Sequence, residues 1–220
     1  MKLDMHTHSY YSYDGAFSPE ALISAAKKKG LDGIALTDHD TVAGWERAKK
    51  TADGTGAFLI LGEEIRIKEK GKTIAEILGY FLKEKIDGKN KTIGQIVDEI
   101  RKQGGIAVLA HPFNWRKPFH ELEEYKNIFD AIEVFNSRSQ TSRGNKRAQD
   151  FVNRNNLAFT AGTDAHSPFE IGKTYIEAEA KNADELKEAI LNKKIKIISR
   201  QGTLSVYPAL GKLMHFFWKP

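Results

Sequence analysis

Residues 33–41 read Gly-Ile-Ala-Leu-Thr-Asp-His-Asp-Thr: a short uncharged run, 33–37, with the content of a buried strand, followed by Asp38, His39 and Asp40 at its C-terminal end. Working outward, the same pattern recurs. Upstream, Ser18-Pro19-Glu20 supplies a helix N-cap, a proline at the first helical position and an acid in the first turn, and the helix over 21–29 stops at Gly30. Downstream, 41–50 reads as a helix, 57–61 as a strand, and 67–81 as a hairpin turning at 69–72. Ile93, Ile96, Val97 and Ile100 keep the 3.6-residue period of a helix over 92–103 that ends at Gly104-Gly105. Strands are expected over 106–110, 131–135, 157–161 and 195–199, and helices over 119–126, 144–155 and 183–192. Strands alternating with helices predict an α/β fold with a mostly parallel sheet, and the number of repeats suits a barrel better than a small open sheet.

No repeat, low-complexity stretch or Pro/Gly/Ser-rich linker divides the 220 residues, so a single domain over 1–220 is expected. A hydrophobic content of 40% excludes a disordered chain. There are no cysteines, which removes disulfides, thiolate metal sites and cysteine nucleophiles and leaves His, Asp and Glu for metal chemistry. The net charge of +5 is spread along the chain and favours an anionic partner. The N-terminal residues carry no signal-peptide core, and no stretch approaches the roughly 18 to 20 apolar residues of a membrane span. A soluble, cytoplasmic protein is expected.

The metal-capable side chains fall at strand ends. His6 and His8 follow the first short strand, Asp38 and His39 the second, Glu63 and Glu64 the third; His111 follows 106–110, and Asp164 and His166 follow 157–161. Five of the seven histidines occupy such positions. In a barrel of parallel strands those ends share the face on which active sites are built. Imidazole and carboxylate are the ligands of zinc, manganese and iron, and carboxylates can bridge two ions, as multinuclear hydrolytic sites require. A lone histidine at a strand end is usually structural. The whole pattern is not.

The order and spelling of these segments resemble the PHP family, the polymerase and histidinol phosphatase domain of metal-dependent phosphoesterases. Asp4-Met5-His6-Thr7-His8-Ser9 is similar to its first motif, Thr37-Asp38-His39-Asp40-Thr41 to its second, Gly62-Glu63-Glu64-Ile65 to its third, Ala110-His111-Pro112 to its fourth and Gly162-Thr163-Asp164-Ala165-His166-Ser167 to its last. Tyr13-Asp14-Gly15, Leu78-Gly79-Tyr80 and Ile132-Glu133-Val134-Phe135-Asn136 fill the gaps, so the resemblance covers residues 2 to about 200 and leaves an apolar tail, 203–220. It implies a distorted (β/α)7 barrel of PHP type, with two or three divalent ions (zinc, manganese or iron) at the C-terminal mouth. By the same resemblance His6, His8, Glu64 and Asp164 hold the first ion, Glu64 bridges to a second that His111 also binds, and Asp14, His39 and His166 hold the third. Many members have a histidine before the Leu-Gly-Tyr stretch as a further ligand to the second ion; this chain has Glu76, which either ligates in its place, favouring manganese or iron, or faces solvent on a hairpin strand.

The implied chemistry is hydrolysis of a phosphate ester of a small metabolite or nucleotide by a metal-activated hydroxide, with His39 or the third ion serving the leaving oxygen and Asp38 orienting an imidazole. Arg138 is the candidate phosphate clamp; Arg143 and Lys173 are weaker ones, and His120 and His215 lie outside the pattern. No Gly-rich phosphate loop is present, which counts against a nucleotide-dependent transferase. Two alternatives remain: a nuclease trimming RNA or DNA ends, and a non-catalytic metal-binding scaffold for a partner such as a polymerase. The segment 81–109 is long enough for one helix and one strand, so no substrate-capping subdomain is expected there. The tail, with its apolar stretch 210–218, is expected to pack on the core or a neighbouring subunit, the alternative being a membrane-surface or partner contact.

Overall fold

The computed structural model describes residues 1–139 and 142–199; the apolar tail and His215 lie outside the described residues. The sheet has nine strands: β1 (Lys2–Thr7), β2 (Gly33–Leu36), β3 (Phe58–Glu69), β4 (Lys72–Tyr80), β5 (Ile106–Leu109), β6 (Ala131–Asn136), β7 (Phe159–Gly162), β8 (Thr174–Ala178) and β9 (Ile195–Ser199). Their order is β7-β6-β5-β4-β3-β2-β1-β8-β9. Beyond the ends of β1 and β7 the chain closes on itself, because His8 N–H donates to the Ala165 carbonyl and Ala165 N–H to the His6 carbonyl. The close approach is tight enough that a Cβ on Gly162 would meet the Cβ of His6 at 2.5 Å. The result is an α/β fold with a nearly closed, barrel-like sheet.

The helices are α1 (Pro19–Lys28), α2 (Trp45–Thr55), α3 (Ile93–Lys102), α4 (Leu122–Tyr125), α5 (Ser142–Asn155) and α6 (Ala183–Leu191). Local chemistry accounts for the ends of several. Ser18 caps α1 by accepting from Ala21 N–H with Pro19 in the first turn, and Thr92 and Gln95 form a reciprocal capping box at the start of α3. Ile93, Ile96, Val97 and Ile100 form the buried stripe of α3.

Three expectations are corrected. The helix expected over 41–50 begins at Trp45, because Asp40, past the end of β2, takes a left-handed conformation and pairs with Arg66, and a turn at Ala43-Gly44 precedes the helix. The strand at 57–61 does not stop: β3 runs on to Glu69 and forms, with β4, one long hairpin through Lys70-Gly71. The sheet is mixed rather than mostly parallel, since β3–β4, β4–β5, β1–β8 and β8–β9 are antiparallel. Strand β8, unexpected from the sequence, is the element that makes two of those pairings.

The core lies on both faces of the sheet. Leu22, Ile23, Ile34, Leu36, Ile96, Ile100 and Val152 pack between strands and helices, whereas Ala35, Ile60, Leu78, Tyr80, Val108 and Ala131 fill the inside with Leu3 and Met5. A bulge in β1 between Asp4 and Thr7 adds one residue relative to β2. It lets Met5 join the inner core while the adjacent His6 ring also turns inward, onto Glu64 and Glu133. No helix among the described residues is long and apolar enough to cross a membrane.

Candidate metal centre

The strand ends deliver the ionisable side chains to one place. At the end of β1 and just past it, Nε2 of His6 and of His8 each lie 3.2 Å from Oε2 of Glu64. Glu64 sits on β3 where that strand leaves the barrel for the hairpin, and His39 reaches the same oxygen with Nδ1 at 3.1 Å. The backbone fixes this meeting, because Asp40 N–H donates to the Glu64 carbonyl and Glu64 N–H to that of Asp38. After β5, His111 places Nε2 3.2 Å from Oε1 of Glu64. After β7, Asp164 stands 3.3 Å from Nε2 of His8, and His166 stands 3.1 Å from Asp14. The His8 ring lies between two others, its centroid 4.5 Å from that of His39 and 4.4 Å from that of His166. His111 and Asp164 both have positive φ, 25° and 56°, the local backbone strain that functional positions retain when the surroundings enforce it.

The far side of each ring decides which nitrogen is offered to the centre. Nδ1 of His6 donates to Glu133 at 2.9 Å, and Nδ1 of His166 donates to the Asp164 carbonyl at 2.9 Å, since neither oxygen can donate. Both rings therefore present an unprotonated Nε2 inward when neutral, the arrangement a metal-binding imidazole needs. Nδ1 of His8 lies 3.2 Å from the Ser12 hydroxyl. Nε2 of His6, His8 and His166, Nδ1 of His39, Oε1 of Glu64 and Oδ1 of Asp14 are buried and make no hydrogen bond. Burying so many unpaired donors and acceptors is costly unless something else satisfies them. A divalent cation fits that donor set. Three-residue groups able to share an ion include His6, His8 and Glu64; His8, His39 and His166; His6, His111 and Asp164; and His39, Glu64 and Glu76.

Electrostatics points the same way. Burial pulls His8 and His111 towards neutrality, but Asp164 and Glu64 around His8, and Glu64 and Glu76 around His111, outweigh it and raise each to about 9. Burial likewise opposes the charged forms of Glu64, Asp14 and Asp164, yet the neighbouring histidines hold all three below the ordinary carboxylate range. The bare cluster is a nest of carboxylates that keeps protons on His6, His8 and His111 in place of metal cations, whereas burial and the neighbouring His8 push His166 towards its neutral form.

The remaining candidates take distinct places. Glu76 is buried on β4 opposite Arg66, with Oε2 3.7 Å from Nε2 of His111. Arg138 lies beside the cluster, its Nη1 3.5 Å from the Asp164 carbonyl. Arg143 and His120 are exposed, and Lys173 is half-buried next to the turn that follows His166. Asp38 departs from the part expected of it: its oxygens accept from Ser9 N–H at 2.6 Å and Ser9 Oγ at 2.7 Å, so it holds the segment carrying His8 rather than an imidazole. Glu63 points away from the cluster, accepting from Ile86 N–H, and burial raises it to about 7.

Two further residues belong to the centre. Glu133 accepts from His6 Nδ1, His111 N–H and Asn136 Nδ2, and Lys117 pairs with Glu76 at 2.8 Å. The signal for Glu133 is an acid inside the otherwise apolar run of β6. No pattern in the sequence points to Lys117.

An uncharacterized protein of Methanocaldococcus jannaschii is 33% identical over 147 residues, spanning 62% of this chain and 82% of that protein. A 5'-3' exoribonuclease of Haemophilus influenzae is 42% identical over 73 residues, 33% of this chain and only 26% of that protein. The crystal structure of a two-domain protein from Bacteroides vulgatus, containing a predicted PHP-like metal-dependent phosphoesterase, matches with a TM-score of 0.74 at 22% identity. It covers 90% of this chain and 64% of that one, and at such identity it speaks for the fold alone. The PHP domain family model matches residues 4–199, a span that takes in every strand end of the centre, and this chain therefore belongs to the PHP domain family.

Proposed function

We propose that this chain is a metal-dependent phosphoesterase that hydrolyses a phosphate ester of a small metabolite or nucleotide. The observation that carries the reading is the set of buried imidazole and carboxylate atoms turned to one point without hydrogen bonds. His6, His8, Glu64 and Asp164 would hold one ion, Glu64, His111 and Glu76 a second, and Asp14, His39 and His166 a third. Divalent ions bound there offset the charge of a phosphate and bring the pKa of water towards neutrality.

The chain's own residues do the rest. Glu133 and the Asp164 carbonyl fix the His6 and His166 rings, so these two ligands are oriented before an ion binds. Asp38 anchors Ser9 and with it the segment between His8 and Asp14. Arg138 supplies a guanidinium for the non-bridging phosphoryl oxygens. Either His39, between Glu64 and Asp14, or the third ion that it would help to hold would serve the departing oxygen. Between β4 and His111 there are only α3 and β5, so no inserted subdomain covers the mouth from that side.

A second reading, end-trimming of nucleic acid, is favoured by the stretch shared with the Haemophilus influenzae protein. The test is elemental analysis of the purified protein, then a phosphate-release screen with manganese, zinc and iron over monoesters, nucleoside bisphosphates and short oligonucleotides. Bound metal with metal-dependent release from a monoester is the expected result. Absence of release from every phosphate ester in a metal-loaded sample overturns it.

A further inference from the structure

Glu76 turns its two oxygens to two different cation positions. Oε1 accepts from the ammonium of Lys117 at 2.8 Å, while Oε2 faces Nε2 of His111 at 3.7 Å. That same nitrogen is 3.2 Å from Glu64, so the inward side of Glu76 completes the His111–Glu64 position. The side chain of Glu76 is 6% exposed and that of Lys117 40%, which means that the ammonium reaches the acid from the solvent side.

The backbone under Lys117 is held in place. Asn114 N–H donates to the His111 carbonyl, Lys117 N–H to that of Asn114, and Phe119 N–H to that of Pro112. Arg116 N–H adds a bond to the Asn114 side chain. The loop therefore keeps a constant place relative to His111, and the four-carbon stem of Lys117 is the part free to swing. A carboxylate already paired with an ammonium offers less charge to another cation, and a dication entering beside His111 meets that ammonium as a like charge.

We propose that Lys117 is a tethered cation that competes with the second divalent ion for Glu76. The first ion is then resident, whereas the second binds weakly, exchanges with solution and displaces the lysine as it enters. Lys117 acts through Glu76 as a positioning residue. The inference rests on the metal-centre reading above and not on phosphoester hydrolysis.

The test is ion binding by the full chain, stripped of metal and titrated with manganese against a fluorescent chelator. Wild type should show one weaker ion, at the His111–Glu76 position, beside those bound tightly. Lys117→Met should tighten the weaker one by about tenfold or more and leave the tight ones alone, while Lys117→Arg, which keeps the charge, should stay within about twofold of wild type. In a sample with carbon-13-methylated lysines, the Lys117 resonance, identified by its loss in Lys117→Arg, should move as zinc fills the weaker position and stay still in Glu76→Ala. A weaker second ion in Lys117→Met would mean that the lysine only orients Glu76, and an unchanged one that it does neither; both overturn the proposal. Failure of wild type to bind even the tight ion would overturn the metal centre itself, and this inference with it.

Discussion

Glu133 accepts a hydrogen bond from Nδ1 of His6 at 2.9 Å, across 127 positions of sequence, and with its other oxygen accepts from His111 N–H at 3.0 Å. One buried carboxylate thus ties the strand that opens the barrel to the loop that carries a ligand from its opposite side. Every group facing Glu133 is a donor, Asn136 Nδ2 included. Glu133→Gln would turn an amide N–H towards one of them. We expect metal affinity or turnover to fall about 10- to 100-fold with the fold retained, the usual cost of losing a carboxylate behind a ligating histidine. Wild-type metal affinity and rate in this variant would refute the part given to Glu133.

His6 and His8 belong to the centre, whereas the core is built from other side chains on the two sheet faces. His6→Ala and His8→Ala should therefore abolish phosphate release while far-UV circular dichroism stays that of a folded α/β protein. Retention of full activity after verified loss of His8 would sink the site assignment. Loss of the fold would instead make the metal a structural element.

The ion-free protein should depend on pH in an unusual direction. His8 and His111 have folded pKa values of about 9 against 6.5 for the free side chain. Groups raised on folding contribute stability that is fully present below 6.5 and lost as pH rises through about 9. Each contributes at most about 3 kcal/mol, shared between them because both lean on Glu64. The melting temperature of chelator-treated protein should fall from pH 6.5 to 9. Metal-loaded protein should gain over the same range, because metal ligands must be deprotonated. A flat or rising curve for the ion-free protein would contradict the picture of imidazolium among carboxylates.

The legible parts of this molecule were those written in neighbouring residues. Ser18-Pro19-Glu20 and Thr92 with Gln95 announce α1 and α3 because capping is local chemistry. The ligand-bearing strand ends are legible because an apolar run followed by His or Asp repeats along the chain. Strand β8 escapes: it is five residues long, its buried positions Thr174, Ile176 and Ala178 alternate with Tyr175 and Glu177, and its reason for being a strand lies in β1 and β9. The hairpin itself is legible from its turn at Lys70-Gly71, but its place in the main sheet, with β4 antiparallel to β5, escapes for the same cause. In the centre, the partner of Asp38 is not legible, because neighbouring residues send their side chains apart, Asp38 to Ser9 and His39 to Glu64. Lys117 is invisible, since only the loop geometry after His111 brings it to Glu76.

Salt should separate the two substrate classes. A polymer contacts several basic groups, and its affinity falls steeply with the logarithm of salt concentration in proportion to the phosphates neutralised. A small monoester depends on the centre and Arg138 and should respond weakly. We expect the weak response. KM measured for p-nitrophenyl phosphate and for an oligonucleotide at two salt concentrations decides the matter, and faster turnover of the oligonucleotide with a steep slope would put the nuclease reading first.

Glu76 is the position at which this chain departs from the fuller family pattern, and its burial makes the departure testable. A residue that merely decorated a hairpin strand would be exposed, whereas Glu76 is 6% exposed and stands between His111 and Lys117. With glutamate in place of histidine the second position carries one more negative charge, which suits a harder ion such as manganese or iron over zinc. Glu76→His should shift the preferred activating ion towards zinc. Glu76→Ala should remove about one ion per chain as well as lower the rate, and it also leaves the Lys117 ammonium at the rim without its partner. A substitution outside the centre would change both quantities by less than about twofold. Elemental analysis alone separates the outcomes, because an unchanged metal-to-protein ratio in Glu76→Ala would leave the second ion to Glu64 and His111 and take Glu76 out of the ligand set.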